Sequence, residues 1–462
     1  MRLVFVHGWS VTNTNTYAQL PQALSAASGQ YGLEMDIHHI YLGRYISFHD
    51  EVTLDDIARA MDRALRELPG NDDHIIQPFS CVTHSTGGPV VRHWIDRYYG
   101  KDGLAELPLK HLVMLAPANH GSSLAHLGKA RVGRIKAWFA GVEPGQRVLE
   151  WLSLGSDGQW SLNENYLDYD YSEASFYPFV LIGQGIDRKF YDFLNSYLVE
   201  SGSDGVIRVA GASMNYRYVS LKQSCDEIVR NKPLTYALKM ESQVRTSPRV
   251  PLGVYKNYSH SGSKMGIMGS IKAGDTGAPI VQDILKCMKV DSAQSYATRA
   301  EQLATMSEQQ QGDAKYFMLV FNIHDDQGER IKQDDYDLII LAGKKYQPQA
   351  LPKGFFKDRQ MNSQVGRLVY YLNADKMSEI KDGMLGFRIV ARPSSGFSYY
   401  RAAEFRSDNH SLGEIFNANE TVYIDIELHR YVDENVFRLD SASERRVNFK
   451  RIKPSGKVIK ND

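Results

Sequence analysis

Apolar runs and amphipathic stretches alternate along about the first 290 residues of the chain. Residues 3–6 predict a buried strand, and residues 53–68 predict a helix, because apolar side chains recur there every three to four positions. Further buried strands are predicted at residues 111–115, 179–182 and 206–209. Strands that alternate with helices are typical of βαβ units, so we expect a mostly parallel sheet covered by helices.

From residue 316 onward, strand patterns recur at short spacing and helical patterns are scarce. The predicted strands cover residues 316–323, 336–341, 366–372, 386–391 and 421–428. Many short strands with Gly and Pro between them are typical of an antiparallel β-sandwich. We therefore expect two domains, an α/β domain at residues 1–295 and a C-terminal antiparallel β-sandwich at residues 315–462, joined by a polar linker at residues 296–314.

A long irregular stretch, about residues 122–178, interrupts the α/β pattern. Insertions of this length over a sheet are often lids or substrate-binding caps. A small pair of helices that packs its own aromatic side chains explains the pattern equally well, and both interpretations can hold together. The aromatic side chains concerned are Trp138, Phe139, Trp151, Trp160, Tyr166 and Tyr169.

Composition narrows the class of protein only a little. The 54 basic and 54 acidic residues balance, so the charge gives no indication of a nucleic-acid partner. Cys81, Cys225 and Cys287 are far apart and odd in number, which argues against a disulfide framework or a metal cluster. We expect no metal and no cofactor. The N-terminus lacks the features of a classical signal peptide, and no uninterrupted window of about 18 apolar residues predicts a transmembrane helix.

The strongest chemical motif is Thr83-His84-Ser85-Thr86-Gly87. In a nucleophile elbow the chain turns sharply from a strand into a helix, and small residues two positions on either side of the serine prevent clashes. Gly87 fits this pattern, whereas Thr83 stands where glycine is usual. Apolar residues precede the motif and a helical pattern follows it. We expect Ser85 to be the nucleophile of a serine hydrolase with an α/β-hydrolase fold.

Acyl transfer requires hydrogen-bond donors for the oxyanion of the tetrahedral intermediate, and backbone N–H groups usually supply them. One donor is expected from Thr86, which follows the nucleophile at the start of a helix. The second is expected from Trp9, because His7 and Gly8 form the His-Gly pair that often ends the first strand of such folds.

A serine hydroxyl needs a base to take its proton, and imidazole suits that role near neutral pH. In α/β-hydrolases the order along the chain is Ser, then an acid, then His. His260 follows a predicted final strand and lies in a loop, where the base belongs. The other histidines after Ser85 come too early and are expected to be structural; they are His93, His111, His120 and His126.

The acid that orients the histidine has more than one candidate. Asp204 is a loop acid between small residues, and the phrase Ser203-Asp204-Gly205-Val206 resembles one that recurs in lipases with this role, so it is the favoured residue. Asp187, close behind the predicted strand at residues 179–182, is the rival, and Asp226 is a more remote alternative.

These motifs together resemble the PlaB-type bacterial phospholipases A. The resemblance is carried by the phrases at residues 7–10, 83–89, 203–206 and 259–262, and the threonine in the elbow is its most specific part. It implies phospholipase A and lysophospholipase activity toward glycerophospholipids, with no metal. It also implies homo-oligomers and peripheral association with the membrane of a Gram-negative bacterium. The catalytic roles that it implies fall on Ser85, Asp204 and His260.

Two other functions remain open at this point. A carboxylesterase or neutral-lipid lipase would use the same triad, and an adhesion or assembly module would rely on the β-rich domain with a vestigial site. Basic and apolar residues alternate along residues 445–460, which would suit an anionic membrane surface. A solvated, frayed chain end explains that segment equally well.

Overall fold

The computed structural model of the chain describes residues 1–7, 16–47, 49–125, 145–171, 174–186, 200–310, 314–380, 383–393, 397–408 and 412–432. Within these ranges the first strands are β1 Arg2–His7, β2 Asp36–Tyr41, β3 Phe79–His84, β4 Leu109–Leu115, β5 Tyr177–Gly183, β6 Tyr216–Ile228, β7 Thr235–Met240, β8 Arg245–Thr246 and β9 Leu252–Tyr255. The later strands are β10 Tyr316–Asp325, β11 Tyr336–Ala342, β12 Phe356–Asn362, β13 Arg367–Asn373, β14 Leu385–Ala391, β15 Ser398–Tyr399, β16 Ala402–Arg406, β17 Thr421–Leu428 and β18 Tyr431–Val432.

The α-helices in the same ranges are α1 Leu20–Ser28, α2 Leu54–Arg66, α3 Gly87–Tyr98, α4 Gln146–Leu152, α5 Asp157–Tyr166, α6 Val209–Ala212, α7 Pro279–Met288, α8 Ala293–Gln310 and α9 Leu412–Ile415. Short 3-10 helices lie at Gly29–Tyr31, Leu42–Arg44, Leu104–Glu106, Gln333–Asp335, Pro348–Ala350 and Asp375–Glu379.

The first sheet is parallel and has the strand order β2-β1-β3-β4-β5-β9. All seven residues of β5 are buried. A strand covered on both faces reads as a continuous apolar run, which is the signal that the sequence carries here. β1, β4 and β5 confirm the strands predicted at residues 3–6, 111–115 and 179–182.

Helix α2 confirms the helix predicted at residues 53–68, and its first turn shows why it starts there. The Thr53 hydroxyl oxygen accepts the Asp56 N–H at 3.2 Å, and the Asp56 carboxylate accepts the Thr53 N–H at 3.0 Å. This capping box satisfies amides that have no partner within the helix. The indole N–H of Trp94 on α3 donates to Asp62 on α2 at 3.0 Å, so the two helices lie side by side.

A second, separate sheet has the order β11-β14-β16-β7-β6-β17-β10-β13-β12, with β8 paired to β6. β10, β11, β13, β14 and β17 confirm the five strands predicted after residue 316. The expected antiparallel arrangement is corrected, because β17 pairs in parallel with both β10 and β6, and β16 pairs in parallel with β7. These strands form one mixed sheet, and β15 and β18 form a separate two-stranded antiparallel sheet. Strand spacing predicts that strands exist, whereas their partners depend on long-range packing.

The second sheet takes strands from both sides of the expected linker. β6 and β7 lie before residue 295 and are inserted among strands that lie after residue 315. Residues 296–310 of that linker all belong to helix α8, whose Ser307 hydroxyl accepts the Val254 N–H of β9 at 2.8 Å. This helix therefore packs on the edge of the first sheet.

Two local predictions have different outcomes. The strand predicted at residues 206–209 is wrong, because the chain there forms a tight turn that leads into the short helix α6.

Within the insertion at residues 122–178, the structure describes α4 and α5, and Trp160 and Tyr166 of α5 are buried. Residues 126–144 and 172–173, with Trp138 and Phe139, lie outside the described residues, so the lid stays a prediction.

The two sheets share one hydrophobic core. Side chains of the second sheet pack into the same cluster as those of the first sheet and its helices; they are Tyr216, Tyr218, Tyr316, Met318, Val320, Val369, Tyr371 and Tyr423. A second cluster fills the remaining part of the second sheet. None of the helices in the described part of the chain is both long enough and apolar enough to cross a membrane.

Candidate active site

Ser85 lies on the turn between β3 and α3, the position that the elbow motif predicts for it. Its φ angle is +54°, in the left-handed region that non-glycine residues rarely adopt. The turn is held from outside, because the Ser85 N–H donates to the Leu115 carbonyl at 3.0 Å and its carbonyl accepts the Ala118 N–H at 3.3 Å. A strained backbone angle of this kind persists only where contacts with neighbouring residues hold the backbone in place.

The residues flanking Ser85 pack tightly across the turn. Thr83 is fully buried, and a Cβ placed on Gly87 would lie 3.2 Å from the Thr83 Cβ. A Cβ on Gly88 would lie 2.7 Å from the Pro117 Cβ. The second of these distances is shorter than carbon atoms tolerate, so α3 can approach the loop after β4 only through glycine.

His260 and Asp204 converge on Ser85 although they are far away in sequence. The Nε2 atom of His260 lies 3.1 Å from the Ser85 Oγ, and its Nδ1 lies 2.8 Å from the Asp204 Oδ2. Both His260 and Asp204 are at most 1% exposed. An ionised carboxylate only accepts hydrogen bonds, so Nδ1 carries the proton and Nε2 is the acceptor that faces the serine hydroxyl.

Backbone amides hold the carboxylate of Asp204. Its Oδ1 accepts the N–H groups of Val206 at 2.9 Å and Ile207 at 2.8 Å. The His260 N–H also donates to the Asp204 carbonyl at 3.0 Å. Gly205 has a φ of +96°, which lets the chain turn back within this short segment. The acid and the histidine are therefore joined through both their backbone and their side chains.

His84 lies beside the histidine of this constellation. Its Nε2 is 3.0 Å from the His260 carbonyl, to which it donates, and the two ring centroids are 4.6 Å apart. Burial, together with the charge that the His260 ring can carry, holds the pKa of His84 well below its ordinary value. His84 therefore stays neutral near pH 7 and supports the loop without adding positive charge next to His260.

Of the two expected oxyanion donors, Thr86 lies within the described residues and Trp9 does not. Thr86 is the N-cap of α3, so its amide lies at the positive end of the helix dipole, directly beside Ser85. His7, which precedes Trp9 in sequence, is buried on β1 with its Nε2 2.9 Å from the His39 Nδ1.

The remaining candidate residues lie elsewhere. Asp226 is at the exposed end of β6 and contacts Ser224, and Asp187 and His126 lie outside the described residues. The other early histidines make structural contacts, namely His93 with Asp55, His111 with Ser80 and Val290, and His120 with Tyr423 and Ser213.

Sequence reasoning missed several side chains that support the site. Arg208, Asp358 and Tyr371 surround the turn that carries Asp204. Arg208 gave a weak signal, because it is a single cation among the apolar residues 206–210. Asp358 and Tyr371 gave none, since their strands lie about 150 positions away in sequence.

A parallel sheet, a strained serine on a strand-to-helix turn and a Ser–His–Asp hydrogen-bonded series define a protein of the α/β-hydrolase class. A scan against protein-family models and a search of curated protein sequences found no match. Among solved structures, phospholipase PlaB from Legionella pneumophila matches at 42% identity over 100% of both chains, with a TM-score of 0.84. A structure of that phospholipase in complex with thio-NAD matches over the same extent with a TM-score of 0.85. The chain therefore belongs to the PlaB phospholipase family.

Proposed function

We propose that the protein is a phospholipase A and lysophospholipase that cleaves the acyl esters of glycerophospholipids through an acyl-enzyme intermediate. The observation that carries this proposal is the Ser85–His260–Asp204 contact series in a chain that is 42% identical to a phospholipase over its full length. A carboxylesterase or a neutral-lipid lipase with the same triad is the alternative that a substrate panel separates.

The proposed reaction begins with a proton transfer. His260 Nε2 takes the proton of the Ser85 hydroxyl, and the Ser85 oxygen attacks the acyl carbonyl carbon. Asp204 keeps the imidazole in the tautomer that accepts at Nε2 and stabilises the imidazolium that forms. The Thr86 N–H donates to the oxyanion of the tetrahedral intermediate, and we propose that the Trp9 N–H is its second donor.

The second half of the reaction uses the same groups. The protonated His260 gives its proton to the departing glycerol oxygen, and the acyl group remains on Ser85. Water then attacks this ester, with His260 again acting as the base, and the free fatty acid leaves. This series of steps uses only side chains and backbone amides of the chain together with water.

The test is a lipid-hydrolysis panel with wild type, Ser85→Ala and a matched control, Ser80→Ala. Ser80 is buried on β3, the strand that leads into the turn at Ser85, and its hydroxyl contacts His111 rather than His260. Fatty-acid release from phosphatidylglycerol and from a lysophospholipid is expected to fall at least about a thousandfold in Ser85→Ala. The melting temperature of this variant and the activity of Ser80→Ala should stay near those of wild type.

The outcomes of the panel distinguish the proposed phospholipase from the alternatives. Residual fatty-acid release by Ser85→Ala at the wild-type rate would contradict the proposed nucleophile. Release from a short acyl ester or a triacylglycerol, with none from either phospholipid, would favour the alternative. Labelling of wild type but not of Ser85→Ala by a fluorophosphonate is expected.

We further propose that the enzyme is bacterial, associates peripherally with a membrane and forms homo-oligomers, as the family resemblance implies. The basic and apolar tail at residues 445–460, which lies outside the described residues, is the proposed membrane contact. Removing residues 441–462 should reduce sedimentation with anionic vesicles, and unchanged sedimentation would exclude the tail. Sedimentation velocity of the full chain tests self-association.

A further inference from the structure

The turn that carries Asp204 rests on strands of the second sheet. Arg208, four residues after the acid, is 2% exposed and lies between partners from two parts of the fold. Its guanidinium donates to Glu200 at 2.7 Å and to Asp358 on β12 at 2.5 Å. Asp358 is thus a charged contact from the second sheet to the segment that carries the proposed catalytic acid.

Tyr371 on β13 makes a second contact to the same turn. Its hydroxyl lies 3.1 Å from the carbonyl oxygens of Ser201 and Gly202, to which it donates. Its ring lies under the Arg208 guanidinium, with 4.2 Å between the guanidinium carbon and the ring centroid. A Cβ on Gly202 would lie 2.4 Å from the Tyr371 hydroxyl, so the backbone and this side chain are in close contact.

These contacts bracket the groups that orient Asp204. The amides that donate to its carboxylate belong to Val206 and Ile207, which lie between Gly202 and Arg208. The Val209 N–H donates to the Gly202 carbonyl at 2.9 Å and closes the turn. A displacement of either end therefore moves both amides and, through them, the carboxylate that faces His260.

We propose that Tyr371, Asp358 and Arg208 are positioning residues for Asp204, so that the second sheet is a structural part of the active site. This inference rests on the proposed function. Misplacement of a catalytic group by about 1 Å can reduce a rate by roughly a hundredfold, so even a partial loosening of the turn is measurable.

The effect on catalysis has a defined sign. The carboxylate that faces His260 stabilises the imidazolium that forms during the reaction. If the Asp204 carboxylate is less well aligned, this stabilisation weakens, so kcat falls while KM changes little. The His260 ring contacts the side chains of Asp204, Ser85 and His84. The Arg208 guanidinium contacts those of Glu200, Asp358, Tyr371 and Met318.

The experiment compares Tyr371→Phe with Tyr370→Phe in the full-length chain. Both tyrosines are buried neighbours on β13, but the Tyr370 hydroxyl donates to the Leu338 carbonyl within the second sheet. Each variant loses one hydroxyl group and keeps its ring; the Tyr371 hydroxyl is shared between the Ser201 and Gly202 carbonyls, and the Tyr370 hydroxyl donates to one carbonyl. For Tyr371→Phe we expect kcat for phospholipid hydrolysis to fall roughly tenfold at nearly constant KM. Tyr370→Phe should retain the wild-type kcat and KM.

A second variant keeps the inference testable if Tyr371→Phe does not fold. Asp358 is partly exposed, and Asp358→Asn removes its charge with little change of shape. The same fall in kcat at nearly constant KM is expected, and Asp358→Glu should restore much of the rate. The wild-type kcat in both Tyr371→Phe and Asp358→Asn would overturn the inference, as would an equal effect in Tyr370→Phe. An inactive wild type would instead overturn the proposed function.

Discussion

Thr83 and Gly87 face each other across the turn that presents Ser85. Thr83 occupies the position where an elbow usually carries glycine, and its hydroxyl is buried without a hydrogen-bond partner among the described residues. The close distance between Thr83 and a Cβ at residue 87 shows that the glycine after the serine makes room for the threonine before it. The threonine at residue 83 is therefore accommodated because residue 87 has no side chain, and the turn keeps its shape.

The contact between residues 83 and 87 predicts how substitutions at these two positions change stability. Gly87→Ala is expected to lower the free energy of unfolding by about 1–3 kcal/mol, because the added methyl overpacks a core that already contains Thr83. The double variant Thr83→Gly/Gly87→Ala should be more stable than the sum of the two single changes predicts. Urea unfolding of all four proteins measures this coupling energy. Additive effects would show that the two positions do not share the space.

Strand β17 of the second sheet is connected to helix α3, which begins just after Ser85. The Tyr423 hydroxyl donates to the His120 Nδ1 at 2.7 Å and accepts from the Asn163 amide of α5 at 2.8 Å. Asn163 in turn accepts from Arg92, which lies fully buried on α3, at 2.8 Å. One strand of the second sheet thus reaches the helix that begins at the elbow, through a chain of buried hydrogen bonds.

Loss of this hydroxyl should destabilise the junction. In Tyr423→Phe, His120 loses the donor to its Nδ1 and Asn163 loses an acceptor, and unsatisfied buried polar groups cost about 1–3 kcal/mol each. We expect the unfolding free energy to fall by about 2 kcal/mol or more. Thermal and urea unfolding check this, with Tyr370→Phe as the control that removes a hydroxyl within one sheet. Equal stability of Tyr423→Phe and wild type would contradict the described network.

Buried histidines and an ion-paired histidine make stability depend on pH in opposite directions. Burial lowers the pKa of His7 and of His120 to about 3, with contributions from His39 and Arg92 respectively. The unfolded chain binds protons at these positions below about pH 6.5 while the folded chain does not, so stability falls as the pH drops below that value. A hydrogen bond to Asp425 on β17, together with that carboxylate's charge, raises the pKa of His324 on β10 to about 9. This contribution to stability is complete below about pH 6.5 and is lost as the pH rises through 9.

The prediction is a stability maximum near neutral pH whose alkaline side depends on His324. His324→Gln should be less stable than wild type by about 1–2 kcal/mol at pH 6, a modest value because the pair is partly exposed to solvent screening. The difference should shrink as the pH approaches 10. Urea midpoints at several pH values measure it, and Asp425→Asn should show the same trend. A difference that stays constant with pH would exclude the His324–Asp425 pair as its cause.

Much of the molecule could be read from local patterns along the chain. Continuous apolar runs predicted β1, β4 and β5, because strands covered on both faces must be apolar. The elbow predicted the strand-to-helix turn at Ser85, since strained backbone there needs small flanking residues. The loop position of His260 was predicted from the order of catalytic residues in the fold class. Each of these signals lies within a short segment or in the order of segments, and both are properties of sequence alone.

Other features were decided only when distant segments packed together. Residues 206–209 read as a strand, yet they form the turn whose amides hold Asp204, because the carboxylate offers those amides a better partner than a neighbouring strand. The pairing of β6 with β17 and the contact of Asp358 with Arg208 join segments about 200 and 150 residues apart. Periodicity specifies which face of a segment is buried but not which segment covers it. The strand order of the mixed second sheet and its contacts with the turn that carries Asp204 are therefore decided by the tertiary structure.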